Sequence, residues 1–230
     1  MGTVIAGVSS PAPRPILAEV IQAYRATRGV EVEIQYMSVS DAGASIRSGA
    51  AIDVVILPLK AMAQLEAESH LLAGHTRAFA RSGMALAVPA GAARPDIHDE
   101  DAVRLAFCNA PKIGYSAGLS GDYLLQLLER WGLSQSLADR LVLAPTRVPV
   151  GRLVAQGEAD LGFQQLSELM AIAGIEILGS LPADIQVETV FSAGVGQSST
   201  APEPAVSFID YLASDVTREV KRAHGMEPMS

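Results

Sequence analysis

The chain has a single cysteine, Cys108, so an intrachain disulfide is excluded. The flanking residues, RLAFCNA, are apolar and describe a buried, inert thiol. Basic residues are scarce as well. Lysine and arginine number 17 against 25 acidic residues, a net charge of −8, which argues against a general nucleic-acid binder. A local anion site remains open, because a few well-placed donors decide that. No apolar run approaches the roughly 18 residues of a membrane span. The start, MGTVIAGVSS, has neither a basic segment nor a long apolar core, so it does not read as a secretory leader. Two locations stay open: periplasmic if a leader was trimmed, cytoplasmic if this start is native. His70, His75, His98 and His224 lack ligand spacing, and neither a Walker nor a dinucleotide glycine pattern occurs. The expectation is therefore no metal and no cofactor.

What is present is the composition of a compact protein. Hydrophobic residues make up 49% and charged ones 18% of 230 residues, enough for one large domain or two small lobes. Short β-rich runs alternate with amphipathic stretches. TVIAGV (3–8), VEVEIQYM (30–37), IDVVILP (52–58) and MALAVPAG (84–91) read as strands. So do KIGYS (112–116), RLVLAP (140–145), ADLGFQQ (159–165) and a run near 186–193. Helices are expected at 15–28, within SVSDAGASIRSG, at 60–68, after ARPDIHDED, at 120–132, from Val150 to Gln156, in LSELMAIAG and near 202–224. Asp99, Glu100 and Asp101 read as a solvated acidic turn.

Two segments share one order: VEIQYMSVSDAGASIRSGAAIDVVILP and LVLAPTRVPVGRLVAQGEADLGFQQ. Each runs strand, Ser/Pro-rich loop, short helix, Gly, Ala, Asp, strand, with Gly49 and Asp53 answering Gly157 and Asp160. The pattern predicts two α/β lobes of similar build, each with a parallel sheet. Ligands of such sheets bind beyond the carboxyl ends of the strands. Those ends carry hydroxyl, amide, glycine and cationic residues.

Ser9, Ser10 and Arg14 follow the first strand. Ser10 suits a helix cap, and Pro11, Pro13 and Pro15 suit a pre-helical or first turn. The same stretch, GVSSPAPRP, suits an anion seat, with Arg14 supplying a bidentate carboxylate contact. Ser38 and Ser40 lie on the second such loop, as N-cap or as ligand donors. Lys60 opens a helix, and Ser82 sits in the segment expected to cross between lobes. The string G-Y-S-A-G (114–118) matches a nucleophile elbow, with Asp160 and His224 in the chain order of a triad. The helix expected only after Gly121 makes Ser116, Ser120 and Gly121 a better donor-rich loop, with Ser120 as cap. Arg147, Val150 and Gly151 occupy the matching loop of the second lobe. Of Gln164 and Gln165, alternation along a strand brings one to the ligand; Gln164 is the candidate. Glu168 reads as a general acid or base, or as a helix-capping residue.

Longer matches run through the chain: VSS before the first helix, AYRATRGVEV after it, IRSGAAIDVVI, ARSGMALAVPAG, PVGRLVAQGEADLG, FIDYLAS and GMEP. In this order they resemble the type 2 periplasmic-binding-protein fold, within its molybdate-binding-protein-like group. AGAARPDI (90–97), LLERWG (127–132), PVGRLVAQG (149–157) and QQLSEL (164–169) resemble a subset similar to aconitate isomerase. A tyrosine usual in oxyanion binders of the group is replaced by QQLSEL, which favours an organic acid. The resemblance implies an α/β fold of two lobes, residues 1–83 plus 192–230 and residues 84–191, joined by two crossing hinge strands. It implies a cleft between them that holds a small anion and closes over it, and an ABC permease as partner. The implied function is a solute-binding protein. The alternative is a polycarboxylate isomerase on the same scaffold, using Arg14, Lys60, Arg147 and Glu168.

Overall fold

The structure is a computed structural model and describes residues 4–229, so the strand start expected at Thr3 lies outside the described residues. In chain order the elements are β1 (Val4–Ser9), α1 (Arg14–Arg28), β2 (Glu31–Tyr36), α2 (Val39–Arg47), β3 (Val54–Pro58), α3 (Leu59–Ala67) and β4 (Arg77–Pro89). Next come α4 (Glu100–Asn109), β5 (Ile113–Tyr115), α5 (Leu119–Arg130), α6 (Ser134–Leu137), β6 (Leu141–Leu143) and α7 (Val150–Ala155). The rest are β7 (Leu161–Gln165), α8 (Leu166–Leu169), β8 (Ile175–Ser180), β9 (Glu188–Val195), α9 (Pro202–Ala213), α10 (Arg218–Ala223) and β10 (Glu227–Pro228). The chain divides into two compact units, residues 1–82 with 189–230, and residues 83–188.

In the first unit β1 pairs in parallel with β2 on one side and β3 on the other, and β9 pairs antiparallel with β3. Alternation along the strands sends Ile5, Val54, Ile56 and Ala193 to one core and Val8, Val55 and Leu57 to another. The first core is covered by Ile16, Leu17, Val20 and Tyr24 of α1 and by Phe208, Ile209 and Leu212 of α9. The second is covered by Ala42 and Ile46 of α2 and Met62 and Leu65 of α3. Each large apolar side chain buried in this way contributes about 1.5–3 kcal/mol, far more than helix propensity. Proline in the first turn of α1 and left-handed Gly29 at its end set its limits.

The second unit repeats the plan. β5 pairs in parallel with β6 and β7, β7 pairs antiparallel with β4, and β8 pairs with the other edge of β4. One core gathers Val103 and Phe107 of α4 with Leu124, Leu127 and Leu128 of α5, and a smaller one gathers Val150, Leu153 and Val154 of α7.

Several local readings change. β4 starts at Arg77, well before the expected Met84, because Ala80 and Arg81 pair with β10. β8 was not expected: Gly174 before it and Gly179 within it, at φ 140°, disguise a strand that also carries a register shift against β4. The final helix is two. Ser214 is extended, its hydroxyl donates to the Tyr211 carbonyl, and Thr217 Oγ1 donates to the Leu212 carbonyl, so side chains close α9 and α10 begins afresh. Cys108 is partly exposed at the end of α4, not buried. The acidic turn is also more than a solvated one. Asp99 caps α4 by accepting from the Ala102 N–H, and Glu100 accepts from Trp131 Nε1 at 2.6 Å and pairs with Arg130.

Candidate functional site

The register of the first unit places Ser9 beside both Tyr36 and Ile56. The residues that follow those three therefore collect at one end of the sheet. Ser9 is buried and its hydroxyl donates to the Ser10 carbonyl at 2.9 Å. Ser10 does not cap α1: the N-cap position is Pro13, without a side-chain cap. The Ser10 N–H donates to the Ile56 carbonyl at 3.1 Å, and its buried Oγ has no partner among the described residues. A buried hydroxyl left unpaired costs about 1–3 kcal/mol unless something else satisfies it.

Arg14 is exposed at the first position of α1, with its guanidinium 4.8 Å from the centre of the Tyr36 ring. That stacking holds the cation at the carboxyl end of β2. Burial raises the Tyr36 phenol above its ordinary range, and the Arg14 charge partly offsets this. Ser38 acts as a cap, accepting from the Asp41 N–H at 3.0 Å, and Ser40 is exposed on α2. Lys60 is exposed in the first turn of α3. Ser82 is buried and donates to the Gly225 carbonyl at 3.3 Å. Sequence reasoning missed Ser192. It lies opposite Leu57 on β9, fully buried, and its Oγ has no partner among the described residues. The one signal was a serine inside the apolar run TVFSAGV.

In the second unit Ser116 and Ser120 share a hydrogen bond at 3.1 Å. α5 begins at Leu119, earlier than expected, with Gly118 as N-cap at φ 99° and ψ −159°, a conformation that favours glycine. Ser120 is thus in the first turn and not the cap. A Cβ on Gly121 would lie 1.9 Å from the Ser116 carbonyl oxygen, so this loop requires glycine for contact. The triad order has no counterpart in the structure: Asp160 accepts from the Lys112 N–H, and His224 pairs with Glu19 at 3.0 Å.

Arg147 is exposed and holds φ 68°, uncommon for a residue with a side chain. A Cβ on Gly151 would meet Ile172 at 3.0 Å, so its identity there serves packing. The Val150 N–H donates to Gln164 Oε1 at 2.9 Å, which removes it from the donors a ligand could use. With its oxygen so engaged, the Gln164 amide nitrogen donates to Glu168. Glu168 stands in the single turn of α8, not at its cap. Glu168 is half-buried as a residue, and desolvation raises its pKa to about 7 against the opposing Gln164 hydrogen bond. Gln164 is therefore tied to the protein, while the buried Gln165 has an amide oxygen without a partner. No group of three or more His, Cys, Asp or Glu among the described residues could hold a metal ion. No helix among them is long and apolar enough to cross a membrane.

Parallel α/β units whose strands end in hydroxyl, amide and guanidinium groups define a binding-protein fold. The chain belongs to the family described as bacterial extracellular solute-binding proteins, whose model matches residues 5–227. It is 34% identical to an aconitate isomerase from Pseudomonas sp, over 99% of this chain and 88% of that protein. It is similar in fold to the periplasmic molybdate-binding protein of Azotobacter vinelandii, with 22% identity, a TM-score of 0.80 and coverage of 98% of this chain and 100% of that one. A sulfate-binding protein from Mycobacterium tuberculosis H37Rv is also similar, with 18% identity, a TM-score of 0.77 and coverage of 99% and 88%. The fold is that of the type 2 periplasmic binding proteins, and the family implies a small ligand.

Proposed function

We propose that the protein captures a small organic carboxylate and works with an ABC permease. The observation that carries this reading is the buried, unpaired amide oxygen of Gln165, at the carboxyl end of β7. An amide oxygen calls for a donor. Molybdate and sulfate dianions offer none, whereas an organic acid offers a hydroxyl or a protonated carboxyl. Within the first unit, the buried, unpaired Ser10 hydroxyl and the Arg14 guanidinium likewise offer a donor and a planar cation suited to a carboxylate.

A second reading, isomerisation of a polycarboxylate, is favoured by the aconitate isomerase relative and by Glu168. A carboxyl with a pKa of about 7 is poised to take a proton from an acidic C–H and return it to another carbon of the same substrate. Arg147, in the same unit as Glu168, would then stabilise the carbanion charge.

Calorimetry with cis-aconitate, trans-aconitate, citrate, molybdate and sulfate tests the first reading. Binding of a carboxylate with no response to the inorganic anions is expected; the reverse order sinks it. Proton NMR of the same mixtures in D2O decides the second. Interconversion of the aconitates identifies an isomerase, and unchanged ligand at saturating protein rejects it.

A further inference from the structure

Ser192 is turned away from its apolar neighbours on β9. Phe191, Ala193 and Val195 face the core that α1 and α9 cover. Alternation sends Ser192 and Gly194 to the other face, where α2 and α3 pack. A Cβ on Gly194 would lie 2.8 Å from Cε of Met62, the fourth residue of α3. β9 runs antiparallel to β3, with Gly194 opposite Val55 and Ser192 opposite Leu57. Ser192 is thus one step nearer the end of β3, where α3 begins at Leu59. Its hydroxyl, fully buried and without a partner among the described residues, faces the first turn of that helix. The turn itself is open. Its N-cap is Pro58, which has no side-chain oxygen, and no acid lies in it. The first N–H groups of a helix have no partner within it and carry partial positive charge. Lys60, exposed in the same turn, adds a full one. Glu68, just past the other end of α3, is held by Arg47 and Gln64.

We infer that the N-terminus of α3, Lys60 and Ser192 form a second carboxylate seat in the first unit, so that the ligand is a polycarboxylate held there by two of its acid groups. The inference rests on the organic-carboxylate reading, whose donors in this unit are Ser10 and Arg14. The sheet order sets β1 and β9 on either side of β3. The Ser10 N–H reaches the Ile56 carbonyl and Ser192 lies opposite Leu57, so both serines stand at the same level of β3. Neighbouring strands are about 4.8 Å apart, which sets the two serines about 10 Å apart across the end of β3. Carboxylates on neighbouring carbons span that gap once a hydrogen bond of about 2.8 Å is added at each end. A monocarboxylate fills one seat and leaves the charge of the other unmatched.

The test is calorimetry of trans-aconitate, fumarate and crotonate with wild type, Ser192→Ala and Lys60→Gln. Crotonate carries a methyl where fumarate carries its second carboxylate. Wild type is expected to bind fumarate at least about tenfold more tightly than crotonate, the worth of a charge-assisted hydrogen bond. Each substitution is expected to weaken trans-aconitate by about tenfold and to leave crotonate unchanged. Ser192→Ala removes a hydroxyl without a partner, so its Tm without added acid should equal or exceed that of wild type. Nitrogen-15 NMR of the backbone is expected to show the amides of Leu59, Lys60 and Ala61 shifting with trans-aconitate and still with crotonate. Crotonate bound as tightly as fumarate overturns the inference and leaves the ligand class intact. So does trans-aconitate binding that either substitution leaves unchanged, or that moves none of the three amides. A fall in Tm with Ser192→Ala overturns the role of that hydroxyl, since it would then serve the fold. Absence of binding by trans-aconitate, cis-aconitate, citrate, fumarate and crotonate alike overturns the ligand class, and the inference with it.

Discussion

Asp53 and Ala6 exchange two hydrogen bonds: the Ala6 N–H donates to Asp53 Oδ2 at 2.9 Å, and the Asp53 N–H donates to the Ala6 carbonyl at 2.7 Å. Asp160 and Lys112 do the same in the second unit, at 3.0 and 2.9 Å. The aspartate just before a strand thus clasps the parallel strand beside it. The two copies differ in what else they hold. Asp53 is buried, and its Oδ1 also accepts from Ser199 Oγ and the N–H groups of Thr200 and Ala201.

Asp53→Ala should cost about 2–4 kcal/mol, since it strands buried donors, whereas Asp160→Ala at an exposed site should cost under about 1. Burial pushes the Asp53 carboxyl up, but the bonds from Ala6, Ser199, Ala201 and Thr200 outweigh it and hold it below the ordinary 3.8. The folded state then binds fewer protons than the unfolded one. The stabilisation is complete above the unfolded value and is lost as pH falls below 3.8 through the folded one. Urea titrations of wild type and Asp53→Asn from pH 7 to 3 check this; parallel stability curves would contradict it.

Lys221 is fully buried on α10, its Nζ without a hydrogen-bond partner among the described residues and 6.0 Å from the centre of the Phe79 ring. Desolvation, helped by Arg218 and opposed by Asp215, lowers its pKa to about 8 from 10.5. Between those values the unfolded chain binds more protons, so stability should rise with pH from 8 to 10.5, and the full penalty applies below 8. Lys221→Met should accordingly raise stability at pH 7, by up to about 3 kcal/mol, and flatten that rise. Thermal unfolding at pH 7 and 10 measures both effects.

Gly121→Ala places a methyl against the Ser116 carbonyl at 1.9 Å. Backbone must move to relieve it, at a cost of about 1–3 kcal/mol or more. A Tm close to that of wild type would show that the loop from Ser116 to Gly121 is not held as described.

Arg14→Ala should weaken trans-aconitate binding by about tenfold or more. Its effect on Tm should be small, because an exposed cation–π contact contributes about 0.5–1 kcal/mol. Arg14→Lys should not restore affinity, since an ammonium cannot stack on Tyr36 and fork a carboxylate at once. Full affinity in the lysine variant would show that charge alone matters there.

Much of this was legible before any coordinates. The continuous apolar run IDVVILP (52–58) announced a strand buried on both faces; β3 covers Val54–Pro58, and all five of its residues are buried. The Gly–Ala–Asp–strand likeness announced the paired units, and the aspartates turn out to make equivalent bonds. Ser10 and Arg14 were visible as candidates because strand ends in parallel sheets are where ligands gather.

The sequence by itself determined the alternation of elements, since hydrophobic period and turn residues are local properties. It also determined the absence of a disulfide, and a donor-rich set of strand ends. Only the tertiary structure decided which polar groups are already engaged. Ser38 to the Asp41 N–H, the Val150 N–H to Gln164, and Ser82 to the Gly225 carbonyl were indistinguishable by residue type from Ser10, Ser192 and Gln165, which remain unpaired. Hydrogen-bond satisfaction and burial depend on residues remote in the chain. For the same reason Glu168 could be named from the sequence, but its shift toward neutrality could come only from the atoms packed around it.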